Sequence, residues 1–116
     1  MLTHVVSSTW TQFNNGDTLG HRGSEGGTII RDEMFPDGAR ITLEKNTKTA
    51  AFAITCGIVN WLVHTVYLST EESAQRTFEL IKSDLESMMR YVNREPFISE
   101  DSMLLVEQLK DFIRRF

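Results

Sequence analysis

The sequence predicts an α+β fold, in which a four-stranded antiparallel meander is followed by two helices that pack on one face of the sheet. Three observations carry this prediction. The turn signal Pro36-Asp37-Gly38 separates two strand-like segments, β-branched residues are frequent from Ala50 to Leu68, and apolar residues recur at helical spacing after residue 70. The connections between strands are too short for parallel crossovers, so the strands are expected to run antiparallel.

The chain has 116 residues and fits a single domain, because two separate cores would both be marginal. Residues 1–27 are predicted to form an N-terminal strand and a glycine-rich arm, residues 28–69 the meander, and residues 70–116 the two helices. We expect the extra strand within residues 3–13. Residues 14–27 hold five of the seven glycines, which is typical of a loop or a flexible arm.

The first hairpin is predicted to pair residues 28–35 with residues 39–45. In the turn between them, proline presets the first position, aspartate suits the second, and glycine takes a positive φ at the third. If Phe35 lies opposite Ala39, the same register places Glu44 opposite Ile30.

The next two strands form a second hairpin. The third strand is predicted to end near Cys56, and the fourth to run from about Ile58 or Asn60 to Ser69, with Gly57 marking the reversal.

Two amphipathic helices follow the meander. Ser69 and Glu72 fit a capping box for the first helix, and Asn93 and then Pro96 end it. The second helix is capped by Ser99-Glu100-Asp101. Each helix repeats apolar residues on one face: Ala74, Phe78, Ile81, Leu85, Met88 and Val92 in the first, and Leu105, Leu109, Phe112 and Phe116 in the second.

Composition narrows the function classes. A net charge of −4 disfavours nucleic-acid binding and permits a basic protein partner. Cys56 is the single cysteine, so no internal disulfide is expected, and a reducing, cytoplasmic location follows. We expect no membrane partner, since polar residues interrupt the longest apolar stretch. No cofactor motif stands out, and the three histidines lack the spacing of metal ligands, so no metal site is expected.

One face of the sheet is predicted to lack a cover. Helices pack about 10 Å apart and strands about 4.8 Å apart, so two helices cover about four strands on one face only. Both faces of the second hairpin are nevertheless apolar, and a large bare apolar patch is unusual on a monomer. We expect the N-terminal segment, a second copy, or another protein or ligand to cover it. The predicted interface residues are Trp61, Val63, Tyr67, Phe52 and Trp10.

Polar residues offer a second interpretation. Arg40, His64 and either Asp32 or Glu33 could line a polar pocket on one sheet face, although a solvated ladder of ion pairs is favoured. A thiol–imidazole dyad of Cys56 and His64 is not expected. The two side chains either lie on opposite faces or share a face about 13 Å apart, and a dyad needs about 3 Å.

We therefore predict a non-catalytic interaction module, a homodimer joined through the apolar sheet face. A small acidic inhibitor or immunity-type protein belongs to the same class. The alternative is a small-molecule-binding protein or small enzyme, with a pocket between the open sheet face and the glycine-rich arm that uses Arg40 and His64.

Overall fold

The computed structural model describes residues 10–36, 38–92 and 99–116, and it has the α+β architecture that the sequence predicts. Five strands form one antiparallel sheet in sequence order. They are β1 (Thr11–Gln12), β2 (Thr28–Phe35), β3 (Ala39–Lys45), β4 (Phe52–Ile58) and β5 (Leu62–Leu68). Helices α1 (Glu71–Val92) and α2 (Ser99–Arg115) lie together on one face of this sheet, which we call the helix face. The opposite face is the open face.

The structure describes only the last part of the predicted N-terminal strand. β1 has two residues, and Thr11 pairs with Met34 of β2. The rest of the predicted strand at residues 3–9 lies outside the described residues, as do Asp37 of the first turn and the predicted stop of α1 at Asn93 and Pro96.

The core lies between the helices and the helix face of the sheet. α1 buries five of the six residues of its predicted stripe there, the sixth, Val92, is partly buried, and Met89 is buried beside them. Ile41, Leu43 and Ile54 are fully buried across from it. Each large apolar side chain buried in this way stabilises the fold by about 1.5–3 kcal/mol. Leu105 and Phe112 bring α2 into the same core.

Two predicted boundaries are wrong. Gly57 lies inside β4, and the chain reverses over residues 59–61, where Asn60 takes the positive φ. At the start of α1, Thr70 is the cap instead of Ser69, because its Oγ1 accepts a hydrogen bond from the backbone N–H of Ser73 at 3.2 Å.

The β2–β3 register is confirmed from Phe35↔Ala39 to Arg31↔Leu43. Beyond this point the prediction fails, because a β-bulge inserts an extra residue, and Ile29 instead of Ile30 lies opposite Glu44. Ile30 packs against the core on the helix face.

Candidate functional site: the open face of the sheet

The open face is built from three cross-strand rows. The register sets Arg40, Gly57 and Val63 side by side in the first row. The second row is Thr42, Thr55 and Thr65, and the third is Glu44, Ala53 and Tyr67. β4 therefore contributes only alanine, threonine and glycine to this face, while its isoleucines point into the core.

Asp32 is the centre of a hydrogen-bonded cluster on the β2–β3 half of this face. Its side chain is fully buried, which would be costly for an unpaired carboxylate. Arg40 donates from Nε at 2.9 Å and from Nη2 at 2.7 Å, and the hydroxyls of Thr18 and Thr42 donate at 2.8 and 3.0 Å. Since Thr18 belongs to the glycine-rich arm, this cluster ties the arm to β2 and β3.

Glu44 is the second buried acid and was missed by sequence reasoning. It accepts hydrogen bonds from the backbone N–H groups of Glu25 at 3.2 Å and Gly27 at 3.0 Å. Gly23 crosses so closely that a Cβ there would lie 2.2 Å from the Glu44 carboxyl carbon. A side chain at residue 23 is therefore excluded. The sequence did offer one signal for Glu44. It alternates in phase with Arg40 and Thr42, which places it on the same strand face as those residues, and a glycine-rich segment lies nearby in the chain.

Phe13 covers the outer side of this cluster. Its ring stacks on the Arg40 guanidinium, with the Cζ atom 3.6 Å from the ring centroid. The N-terminal segment thus covers part of the open face, which is one of the three covers that the sequence allowed. The residues that cover it are Phe13 and those of the arm. Trp10 lies on the helix face, where its ring meets Phe35 and its indole N–H donates to Glu86 at 2.7 Å.

On the β4–β5 half of the open face, Ala53 of β4 is buried, whereas the side chains of β5 are partly or largely exposed. Val63 is 86% exposed and Tyr67 45%, although the Tyr67 hydroxyl donates to Glu25 at 2.6 Å. This hydrogen bond to Glu25 raises the pKa of Tyr67. Trp61 is 37% exposed in the turn before β5. Phe52 does not belong to this patch, because it packs against the core on the helix face.

The predicted polar cluster is split between the two faces. Arg40 and Asp32 lie together on the open face, whereas Glu33 lies on the other face and bonds to Lys82 of α1 at 2.7 Å. Burial alone would raise the pKa of Glu33, but hydrogen bonds and charge from Lys82 and Arg31 outweigh it, so the pKa is lowered.

His64 also lies on the helix face, with its ring against Phe112 at a centroid distance of 5.8 Å. A pocket that combines His64 with Arg40 therefore does not form. Because the turn has three residues, His64 is directly opposite Cys56, so our expectation of separate faces or a 13 Å gap is wrong. The Cys56 thiol donates to the His64 backbone oxygen at 3.6 Å, and burial raises its pKa to about 12. It is thus a protonated, poorly nucleophilic thiol at neutral pH.

A pocket of about 590 Å³ lies on the open face between the arm and the β4–β5 turn. Its lining includes Arg40, Thr55, Gly57 and Val63. Within the described ranges, no group of three His, Cys, Asp or Glu side chains converges as a metal site would require. Neither described helix is both long and apolar enough to cross a membrane.

Comparisons with protein-family models, with curated proteins and with solved structures found no match to this chain.

Proposed function

We propose that this chain is a self-associating binding module, and that its homodimer forms by antiparallel pairing of β5 with β5 of a second copy. The observation that carries the proposal is the position and chemistry of β5. It is the last strand of the sheet, and within the described chain it pairs with β4 alone. Its seven residues include no proline and no Asp, Glu, Lys or Arg, the residues that commonly protect a strand edge.

The sequence of β5 is suited to pairing with itself. An antiparallel pair centred on Thr65 sets Leu62 opposite Leu68 and Val63 opposite Tyr67 of the partner subunit. The two outer pairs are apolar on both sides, His64 lies opposite Val66, and Thr65 faces its own copy, so the strand is complementary to itself as a two-fold interface requires. Aliphatic–aromatic cross-strand pairs of this kind each stabilise a sheet by about 0.2–1 kcal/mol.

Helix α2 offers apolar surface on the same side of the molecule. Phe112 places α2 beside His64 of β5, and Gln108 faces α1 through a hydrogen bond to Ser87 at 3.0 Å. Two residues along a helix turn through about 200°, so Val106 points to the flank away from α1. Ile113, two turns further on, shares that flank, and the two side chains are 39% and 52% exposed.

A two-fold axis through paired edge strands leaves both helix layers on the same face of the joined sheet. The α2 flanks of the two copies would then meet above the strand pair, while Val63 and Tyr67 of both copies form one apolar strip on the open side. One partner would bury the backbone edge and the α2 flanks, and it would give Val63 and Tyr67 apolar cross-strand neighbours, which is why a second copy accounts for these features better than an unrelated protein.

Charge substitution at the centre of the strand tests this proposal. Thr65→Lys places two like charges directly opposite each other across the two-fold axis, and so does Thr65→Asp. We expect each variant to dimerise at least tenfold more weakly than the wild type in sedimentation equilibrium. An equimolar mixture of the two variants should regain a species of twice the 13.3 kDa chain mass, because Lys then faces Asp.

Ser83→Lys is the matched control, since Ser83 is exposed on α1. This variant should dimerise as the wild type does, and circular dichroism should show that all variants fold. A wild-type chain that is monomeric at about 100 µM would contradict the proposal. So would a mixture of the Lys and Asp variants that associates no better than either alone.

A further inference from the structure

The open side of β4 is a trough, because each side chain that the strand presents there is small. Gly57 lies between Arg40 of β3 and Val63 of β5, which form the two walls. A Cβ at Gly57 would come within 2.8 Å of the backbone oxygen of Leu62, so this position cannot readily gain a side chain. The resulting pocket of about 590 Å³ has the size of known small-molecule sites.

Both ends of the trough are closed. Gly23 and Ser24 of the arm close one end, and the hydrogen bond from Tyr67 to Glu25 spans the sheet behind them. Val59 and Trp61 of the β4–β5 turn close the other end. Most of the accessible lining is apolar, and the trough is open to solvent on the side away from the sheet.

Arg40 is the polar anchor in this space. Its Nε and Nη2 donate to Asp32, and Phe13 covers one face of its guanidinium. The outer edge, with the N–H groups of Nη1, has no hydrogen-bond partner among the described residues, and 45% of the side chain is exposed. This edge can donate to an acceptor atom of a molecule in the pocket.

The charges around Arg40 define the kind of acceptor. Asp32 balances the guanidinium at 2.7 Å, and Glu44 adds a second buried acid two rows away on the same face. No surplus positive charge is therefore left for an anion, whereas a neutral oxygen acceptor can use the free N–H groups without meeting charge repulsion.

From this geometry we propose that the trough is a binding site for a neutral, mainly apolar small molecule with a carbonyl-type oxygen. The oxygen accepts hydrogen bonds from the outer edge of Arg40, and the apolar part packs against Val59, Trp61 and Val63. This site goes beyond self-association, because it lies over Gly57 inside the sheet and not along the outer edge of β5.

Phenylacetamide and phenylacetate test the proposal, because they share one shape and differ in charge. Each is titrated into the full ¹⁵N-labelled chain while amide chemical shifts are recorded. We expect phenylacetamide to shift the amide signals of Gly57, Val63 and Trp61 saturably, and to bind at least fivefold more tightly than phenylacetate. A dilution series without probe, recorded first, separates shifts caused by self-association.

Arg40→Lys keeps a cation beside Asp32 but removes the forked outer edge. This variant should weaken phenylacetamide binding at least fivefold, whereas Arg22→Lys, a change at an exposed arginine of the arm, should leave it unchanged. The proposal is overturned if phenylacetate binds as tightly as phenylacetamide, or if Arg40→Lys has no effect on a folded chain. It is also overturned if no saturable shift beyond those of the probe-free dilution series appears up to about 20 mM phenylacetamide.

Discussion

The two halves of the open face differ in how far their side chains are covered. Over β2 and β3, two buried acids and a glycine-rich arm seal the sheet, with Asp32 bonded to side chains and Glu44 to backbone N–H groups. Along β5 the side chains of this face stay partly or largely exposed, and Val63 is 86% exposed. The comparison teaches that a sheet face can be closed by hydrogen bonds to buried carboxylates, with little apolar side chain on the covering segment. What remains bare is then available for association.

The largest effect that would break this contrast is expected at Asp32. Asp32→Ala removes the partner of Arg40, Thr18 and Thr42 together, and should lower the free energy of unfolding by about 3 kcal/mol. The half-exposed Arg40 can rehydrate, which keeps the loss from being larger. Urea denaturation measures it. Asp17→Ala, at an exposed acid of the same arm, should change stability by less than about 0.5 kcal/mol. Equal losses in both variants would show that the arm is not clamped by Asp32.

A smaller effect on stability is expected at two threonines of the same cross-strand row, one in each half of the open face. The Thr42 hydroxyl donates to Asp32 at 3.0 Å, while the buried Thr55 hydroxyl has no partner among the described residues. Thr42→Val should therefore cost about 1 kcal/mol, whereas Thr55→Val should stabilise the fold by up to about 1 kcal/mol, because it removes an unsatisfied polar group. Paired thermal and urea unfolding curves decide the sign. A loss of stability in both variants would mean that Thr55 is satisfied after all.

The smallest effect concerns Glu33, whose ion pairs on the helix face are partly solvated. Because its pKa is lowered in the folded chain, its contribution is present above the unfolded value of about 4.3 and is lost as pH falls through the folded value. Glu33→Gln should thus be less stable than wild type at pH 7, by under about 1 kcal/mol, and the gap should close below about pH 4. Urea unfolding across pH measures this gap. Glu107→Gln, on the exposed side of α2, should show no such convergence. A gap that stays constant with pH would contradict the assignment.

The fold could be predicted because its signals are local. The turn at residues 36–38, the four–three spacing on α1 and the short connections depend on neighbours in the sequence. The placement of His64 could not be predicted, because it follows from the length of the β4–β5 turn. One residue more or less moves every side chain of β5 to the other face. The bulge at Ile30 had no sequence signal either.

The candidate site could be predicted only in part. The sequence placed either Asp32 or Glu33 near Arg40 and left the choice open, and in the structure Asp32 is the acid that bonds to Arg40. The sequence allowed the N-terminal segment to cover the face, but it did not show that the arm docks on Glu44, because this contact uses backbone N–H groups that carry no residue identity. Glu44 therefore looked like one more surface acid of a strand, although it is fully buried.

The hydrogen bonds between Glu44 and the backbone of the arm also determine which sequence features related proteins should share. Its bonds go to main-chain atoms, and Leu19, Gly20, His21 and Arg22 stay exposed at the tip of the arm. Substitutions at these exposed positions would leave the hydrogen bonds of Glu44 intact. Overall sequence identity would then fall while the contact between Glu44 and the arm is kept. A sequence pattern that specifies the spacing of Gly23, Gly27, Asp32 and Glu44 should detect related chains that differ at most other positions.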